Sequence, residues 1–273
     1  MSILIAACIS EGFVLAGDSR QTYLNARGSG RVGSDFGTKV FQLTPRIGVT
    51  TFGWAFLQPQ NAAILTSIGT LVEDFRVTIK PQMTVLDVAN LLVQHFQQIY
   101  QHDVTALNWK PAPAGQSAIG FQVAGYNDNS TLGEIYLCSI PPGNAQFLLN
   151  THNLGCNWQG QTDVITRLVL GFDPRIGNLA FAQHLSANPL PNQPSLGDQL
   201  RSLQYQIQWN TMTLQDAIDF SVLMVNSTIN MQRFSDGIVA NPGDMPGCGG
   251  EIDVAVITHR EGFKWIRKKE LKG

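Results

Sequence analysis

Charge is scarce in this sequence. Only 14% of the 273 residues are Asp, Glu, Lys or Arg, and the formal net charge is −2. Proteins that grip phosphate backbones or anionic headgroups carry a basic excess, so the composition argues against a general nucleic-acid or membrane-surface binder. The one basic cluster, Arg267, Lys268, Lys269 and Lys272, reads as a solvated face. Long apolar runs are missing too: no segment approaches the roughly 20 apolar residues needed to cross a bilayer as a helix. Residues 1–9 lack a basic n-region and a cleavage site, so no signal peptide is expected. Cysteine is confined to Cys8, Cys138, Cys156 and Cys248 with no CxxC pair, which argues against a disulfide framework or a zinc site. His95, His102, His152, His184 and His259 show no metal-ligand spacing. No metal and no cofactor are expected, and the default location is a reducing cytoplasm.

What is present is apolar. With 44% hydrophobic residues the chain can bury a sizeable core and does not read as disordered. Its length permits one large domain or two small ones. Ile3–Ile9 and Phe13–Gly17 are short, nearly all apolar and bounded by turn residues, so they read as strands covered on both faces. A three-residue loop, Ser10-Glu11-Gly12, would pair Ile9 with Phe13, so that paired residue numbers sum to 22. That register sets Ser2 opposite Arg20, with Asp18 its diagonal neighbour on the same face. A two-residue turn would move Asp18 to the other face.

Further on, 24–36 is rich in Gly, Ser and Arg and reads as a loop. Residues 39–43 alternate as a strand with Lys39, Phe41 and Leu43 on one face, and 47–52 return as another, ending at Gly53. Helical spacing runs over 60–75, and Thr84-x-x-Asp87 opens a capped helix to about Tyr100. Segments 117–126 and 133–139 form a hairpin, 146–151 a further strand, and 162–171 a short helix. Residues 173–199 carry four prolines and read as an irregular insertion. Thr213-x-x-Asp216 caps a helix to about Arg233, 235–250 is a Gly/Pro-rich loop, and 252–257 with 263–266 close the chain as a hairpin. Strands interrupted by pairs of helices, with first strands apolar on both faces, predict a single α+β domain over 1–273. Its architecture is a four-layer αββα sandwich of two antiparallel sheets flanked by helix pairs.

Ser2 matters if Met1 is removed, because it then holds a hydroxyl nucleophile and a free α-amine. That amine has an ordinary pKa of about 7.7–8.0 and is a competent base near neutrality. Here the residues meet a known family. Gly12-Phe13-Val14-Leu15-Ala16-Gly17-Asp18-Ser19-Arg20-Gln21-Thr22 resembles the start of a proteasome β-type subunit. So do Lys39-Val40-Phe41-Gln42-Leu43 and Gly48-Val49-Thr50-Thr51-Phe52-Gly53, and Gly249-Gly250-Glu251-Ile252-Asp253-Val254-Ala255-Val256-Ile257-Thr258 resembles the closing strand. Over residues 100–235 the resemblance is mostly architectural.

The resemblance implies an N-terminal-nucleophile hydrolase fold and a proteasome-like peptidase. Ser2 falls at the nucleophile position, with Asp18, Lys39 and Gly53 completing the catalytic set. Arg20 is the neighbouring arginine; Gln21, Thr22, Thr51 and Ala55 line the substrate cleft. Cys248 sits where the family has a serine, and either Asp236 or Asp244 would be the supporting aspartate before it. Peptide or unfolded-protein substrates and a homo-oligomeric ring are implied with it, and any unfoldase partner stays open. Three readings stay open: this enzyme, a silent ring or scaffold subunit of the same fold, and a hydrolase of small amides. Taken singly, Asp18 reads as a strand-end partner of Arg20, Lys39 as a residue snorkelling from a sheet edge, and Cys248 as a buried small residue.

Overall fold

The structure is a computed structural model describing residues 2–24, 30–60, 62–188, 193–239, 241–243 and 245–271. Its centre is built by the two most apolar segments, β1 (Ile3–Ile9) and β2 (Gly12–Gly17), buried at every position. Residues buried on both faces need a layer on each side, and the chain supplies both.

Two five-stranded antiparallel sheets stack face to face. In the first the order is β8 (Gly155–Gly160), β1, β2, β9 (Asp253–Thr258), β10 (Gly262–Arg267). In the second it is β7 (Asn144–Asn150), β6 (Gly133–Ile140), β5 (Ile119–Tyr126), β4 (Ile47–Gly53), β3 (Val40–Thr44). Ala6, Cys8, Phe13 and Leu15 face Val40, Ala124 and Tyr126 across the gap between the sheets. Ile3, Ile5, Ala7 and Ile9 face outward instead, as period-two alternation requires, onto Ile165 and Val169 of α3 (Asp163–Leu170) and Ala217, Ile218 and Val225 of α6 (Leu214–Phe234). Over the second sheet lie α1 (Ile68–Arg76) and α2 (Val85–Thr105), which bury Leu71, Val72, Phe75, Val88, Leu92 and Phe96 against Phe121 and Val123. The layers therefore run helix, sheet, sheet, helix. Burial of each such side chain stabilises by about 1.5–3 kcal/mol, so the central hairpin outweighs exposed ion pairs in holding the fold.

Both long helices start where their capping boxes place them: Thr84 with Asp87, and Thr213 with Asp216, each bonding reciprocally. Elsewhere the structure corrects the sequence reading. The β1–β2 loop is two residues, Ser10-Glu11, and the register pairs Ile9 with Gly12 and Cys8 with Phe13, so paired numbers sum to 21. Gly12 takes φ 148°, and a Cβ there would lie 2.4 Å from the Ile257 carbonyl oxygen, so contact with β9 fixes the turn. Extended outward, that register sets Ser19, not Arg20, across from Ser2.

The first helix begins at Ile68, after its N-cap Ser67, not near residue 60. A short ribbon of Phe56–Leu57 with Thr66–Ser67 precedes it. Within 24–36, read as a loop, Gly30–Ser34 pairs with Gln21–Leu24 as an antiparallel ribbon. Within 173–199, a 3-10 turn (Pro174–Asn178), α4 (Ala180–Ala187) and the start of α5 (Leu196–Arg201) replace the irregular chain expected. Each of these helical pieces is no longer than eight residues, too short for a periodic signal to stand out. Strand β8 went unread because its sequence, GCNWQG, is polar and glycine-bounded; β1 recruits it as an edge. Among the described residues no helix is long and apolar enough to cross a membrane.

Candidate active site

The site lies where β1, β2, β3 and β4 reach the same end of the sandwich. Asp18 follows the last paired residue of β2, so sheet alternation no longer dictates where its side chain goes. It is 1% exposed and collects four donors. Oδ1 accepts the Ile3 N–H at 2.9 Å and the Lys39 ammonium at 2.8 Å. Oδ2 accepts the Arg20 N–H at 3.1 Å and the Gly249 N–H at 3.0 Å. This is why the shorter turn does not dissolve the polar cluster: the register moved by one, and the carboxylate still meets Lys39.

Lys39 stands one residue before β3 and is buried, while its carbonyl accepts the Thr51 N–H at 3.0 Å. Taking both charges out of water is costly unless each is paired, and the 2.8 Å contact plus the backbone donors supply that compensation. Ser2 is 5% exposed, and its carbonyl accepts the Gln161 N–H at 2.6 Å. Ser2, Lys39, Thr51, Gly53, Arg20, Gln21, Thr22 and Ala55 share one pocket with the first residues of α1.

Gly53 ends β4 with φ 97°, and a Cβ there would sit 2.1 Å from the Ala118 carbonyl oxygen, so no side chain fits. Along a strand the N–H groups alternate in direction. Trp54 donates toward Ala118 on the β5 side, and Thr51 donates toward Lys39 on the β3 side. The Gly53 N–H therefore points the same way as that of Thr51, past the start of β3 and toward the pocket it lines. Behind it, the fully buried Asp103 of α2 accepts the Gln58 N–H at 2.9 Å and anchors the segment after Ala55.

Other expected residues have different duties. The Arg20 guanidinium is committed to Asp35, at 2.6 Å from Nε to Oδ1 and 2.9 Å from Nη2 to Oδ2, and to the Pro246 carbonyl at 3.2 Å. That bidentate pair lowers the Asp35 carboxyl and raises the Arg20 guanidinium, with partial burial opposing both. Arg20 thus fastens the 30–35 ribbon to the 246–249 turn and does not extend a free charge toward a substrate. Cys248 packs in the core between the first sheet and α6. Burial, then the Asp18 charge, push its thiol up, so it is a neutral packed group. Asp236 is exposed, in the turn that follows α6. Asp244 falls outside the described residues.

Sequence reasoning missed Asp35, which hides in a Gly-rich stretch. It also missed Gln232, whose Oε1 accepts the Cys248 N–H at 2.8 Å and positions the turn that presents Gly249 to Asp18. No spacing rule announces a glutamine late in a long helix. Among the described residues no group of three or more His, Cys, Asp or Glu could hold a metal ion.

No protein-family model matches the sequence, and no curated protein does. The fold does have solved neighbours. Anbu from Hyphomicrobium sp. strain MC1 is similar with a TM-score of 0.56 at 12% identity, over 98% of this chain and 86% of that one. A Gly-1 mutant of Anbu from the same strain aligns with a TM-score of 0.53, at the same identity and coverage. At that identity the likeness establishes the shared architecture, the N-terminal-nucleophile hydrolase fold, and no further property.

Proposed function

We propose that this chain is an N-terminal-nucleophile amide hydrolase, a proteasome-like peptidase whose nucleophile is the Ser2 hydroxyl after removal of Met1. The observation carrying this reading is convergence: Ser2, a buried Lys39 held by Asp18, and the Gly53 N–H meet at one pocket. The Ser2 oxygen attacks the substrate carbonyl, and its proton passes to the Ser2 α-amine. The Lys39 ammonium, ion-paired with Asp18, disfavours the protonated form of a neighbouring α-amine and so leaves its lone pair available to take the proton. The Gly53 N–H stabilises the oxyanion. The protonated amine then gives its proton to the leaving nitrogen, leaving an ester that water hydrolyses with the same amine as base.

Subunits of this kind would assemble as a homo-oligomeric ring. Leu223, Met231 and Phe234 of α6, exposed at 56%, 54% and 77%, offer apolar surface for such contacts. The second reading is a silent scaffold subunit: with Met1 still attached Ser2 has no free α-amine and is 5% exposed. A panel of fluorogenic peptides and small aryl amides, run on the wild type and on Ser2→Ala, separates the readings. Cleavage of peptides that vanishes in Ser2→Ala supports the peptidase. Cleavage of small amides alone moves the substrate class, and no Ser2-dependent turnover leaves the scaffold.

A further inference from the structure

The end of the second sheet away from Ser2 holds a larger cavity. Strand β4 ends at Gly53 in the Ser2 pocket and starts, about 20 Å away, at Ile47 beside this one. Likewise α1 begins at the first pocket with Ile68 and Gly69 and reaches the second with Glu73 and Arg76. The cavity measures about 660 Å³, within the roughly 300–1,000 Å³ of sites that take small organic molecules. Its frame is tied down by backbone bonds. The Pro45 carbonyl accepts the Phe263 N–H at 2.8 Å, and the Arg46 carbonyl accepts the Tyr126 N–H at 3.1 Å. Asn127 Oδ1 accepts the Val85 N–H at 2.8 Å and holds the turn after β5 to the start of α2.

The walls are mostly aliphatic. Leu43 and Ile47 are buried, Ile79 and Met83 are half-buried, and Val77 is 85% exposed. Tyr126 is the one aromatic residue lining the cavity, and its ring already has neighbours. The Arg46 guanidinium lies 5.7 Å from its centroid, with Phe13 and His259 at 5.3 and 5.8 Å. A hydrocarbon chain suits such walls better than a ring that needs a face to stack on.

Arg46 is the under-bonded group here. Among the described residues its guanidinium makes one hydrogen bond, from Nη2 to the Ser130 carbonyl at 3.3 Å, and Nε is buried without a partner. A guanidinium carries five N–H donors, so this one has capacity left for an acceptor. Arg46, Arg76 and Lys80 line the cavity with Glu73 and Asp128, three cations against two carboxylates. A surplus of one positive charge matches a monoanion, and the two carboxylates oppose a dianion.

We propose that this cavity binds a medium-chain aliphatic carboxylate, with the carboxylate on Arg46 and the hydrocarbon over Ile47, Val77 and Met83. The inference does not depend on Ser2 being a nucleophile. It is tested by calorimetric titration of the full chain with hexanoate, octanoate, decanoate, decanol and decyl phosphate. Decanoate should bind once per chain, with affinity rising about fourfold per methylene from hexanoate. Decanol, which has no charge for Arg46, should bind at least about tenfold more weakly, and decyl phosphate should also be weaker than decanoate.

Arg46→Met, which keeps the apolar stem, should bring decanoate down to the decanol level. Val77→Asp, at an exposed position that a folded chain tolerates, should weaken decanoate as well, by setting a like charge in the wall. Ser2→Ala should leave decanoate binding unchanged. Equal affinity for decanoate and decanol, tighter binding of decyl phosphate, or several sites per chain would overturn the proposal. So would a decanoate preference that survives both Arg46→Met and Val77→Asp, or one lost in Ser2→Ala, which would put the ligand in the other pocket.

Discussion

Among the described residues two lysine–aspartate pairs are buried, and their surroundings differ. Lys39 and Asp18 meet at 2.8 Å with side chains 7% and 0% exposed. Lys269 and Asp253 are as deeply buried, at 6% and 2%, and the Lys269 N–H adds a second bond to Asp253 at 2.8 Å. The second pair clamps the segment after β10 onto the start of β9 and stays clear of the Ser2 pocket. The first is wrapped in backbone donors from Ile3, Arg20 and Gly249 and opens on that pocket. Burial and pairing alone therefore do not mark chemistry, since both pairs have them. The first pair alone has a cavity beside its ammonium, with the candidate nucleophile Ser2 and Gly53 in its wall.

The comparison breaks most visibly if each lysine is replaced. Lys39→Met and Lys269→Met each strand a buried carboxylate, and each should cost about 3–5 kcal/mol in urea unfolding. Electrophile labelling of Ser2 should disappear only in Lys39→Met; loss in both variants would mean that labelling reports folding alone. Gly53→Ala comes next, because its Cβ meets a carbonyl at 2.1 Å and φ is 97°. It should destabilise by about 1–3 kcal/mol or more, whereas Gly177→Ala, with nothing within 4 Å of the added Cβ, should be close to neutral.

The Arg20–Asp35 pair sharpens the contrast through pH. Asp35 is lowered from its ordinary 3.8 by Arg20, so its contribution to stability is present above that value and fades as pH falls through the lower folded pKa. Arg20→Met should flatten that acid limb in a denaturation series from neutral to acid; an unchanged limb would remove the pair from the account. The smallest effect is expected at Cys248. Its raised, neutral thiol should react slowly with iodoacetamide at pH 8 relative to a free thiol, and Cys248→Ser should leave Ser2 labelling within about twofold.

How far the sequence carried this picture depended on the kind of signal. The two capping boxes announced α2 and α6 because a hydroxyl and a carboxylate three residues apart satisfy local donors whatever surrounds them. The apolar runs of β1 and β2 announced their double cover. The turn between them was legible only in part: Gly12 does take a positive φ, with its backbone close against Ile257 far along the chain, but the loop is one residue shorter and the register moves by one. Asp18 and Lys39 could be named through resemblance, while Asp35 and Gln232 could not, since each acts through a partner distant in sequence. Strand β8 needed β1 to become a strand at all.

The central claim is that Ser2 carries a free amine and a reactive hydroxyl. Mass analysis of the intact chain and its N-terminal peptide after treatment with a β-lactone tests it most directly. The account predicts loss of Met1 and one acyl group on Ser2. Retained Met1, or an acyl group found on Cys248 with Ser2 unmodified, would contradict it.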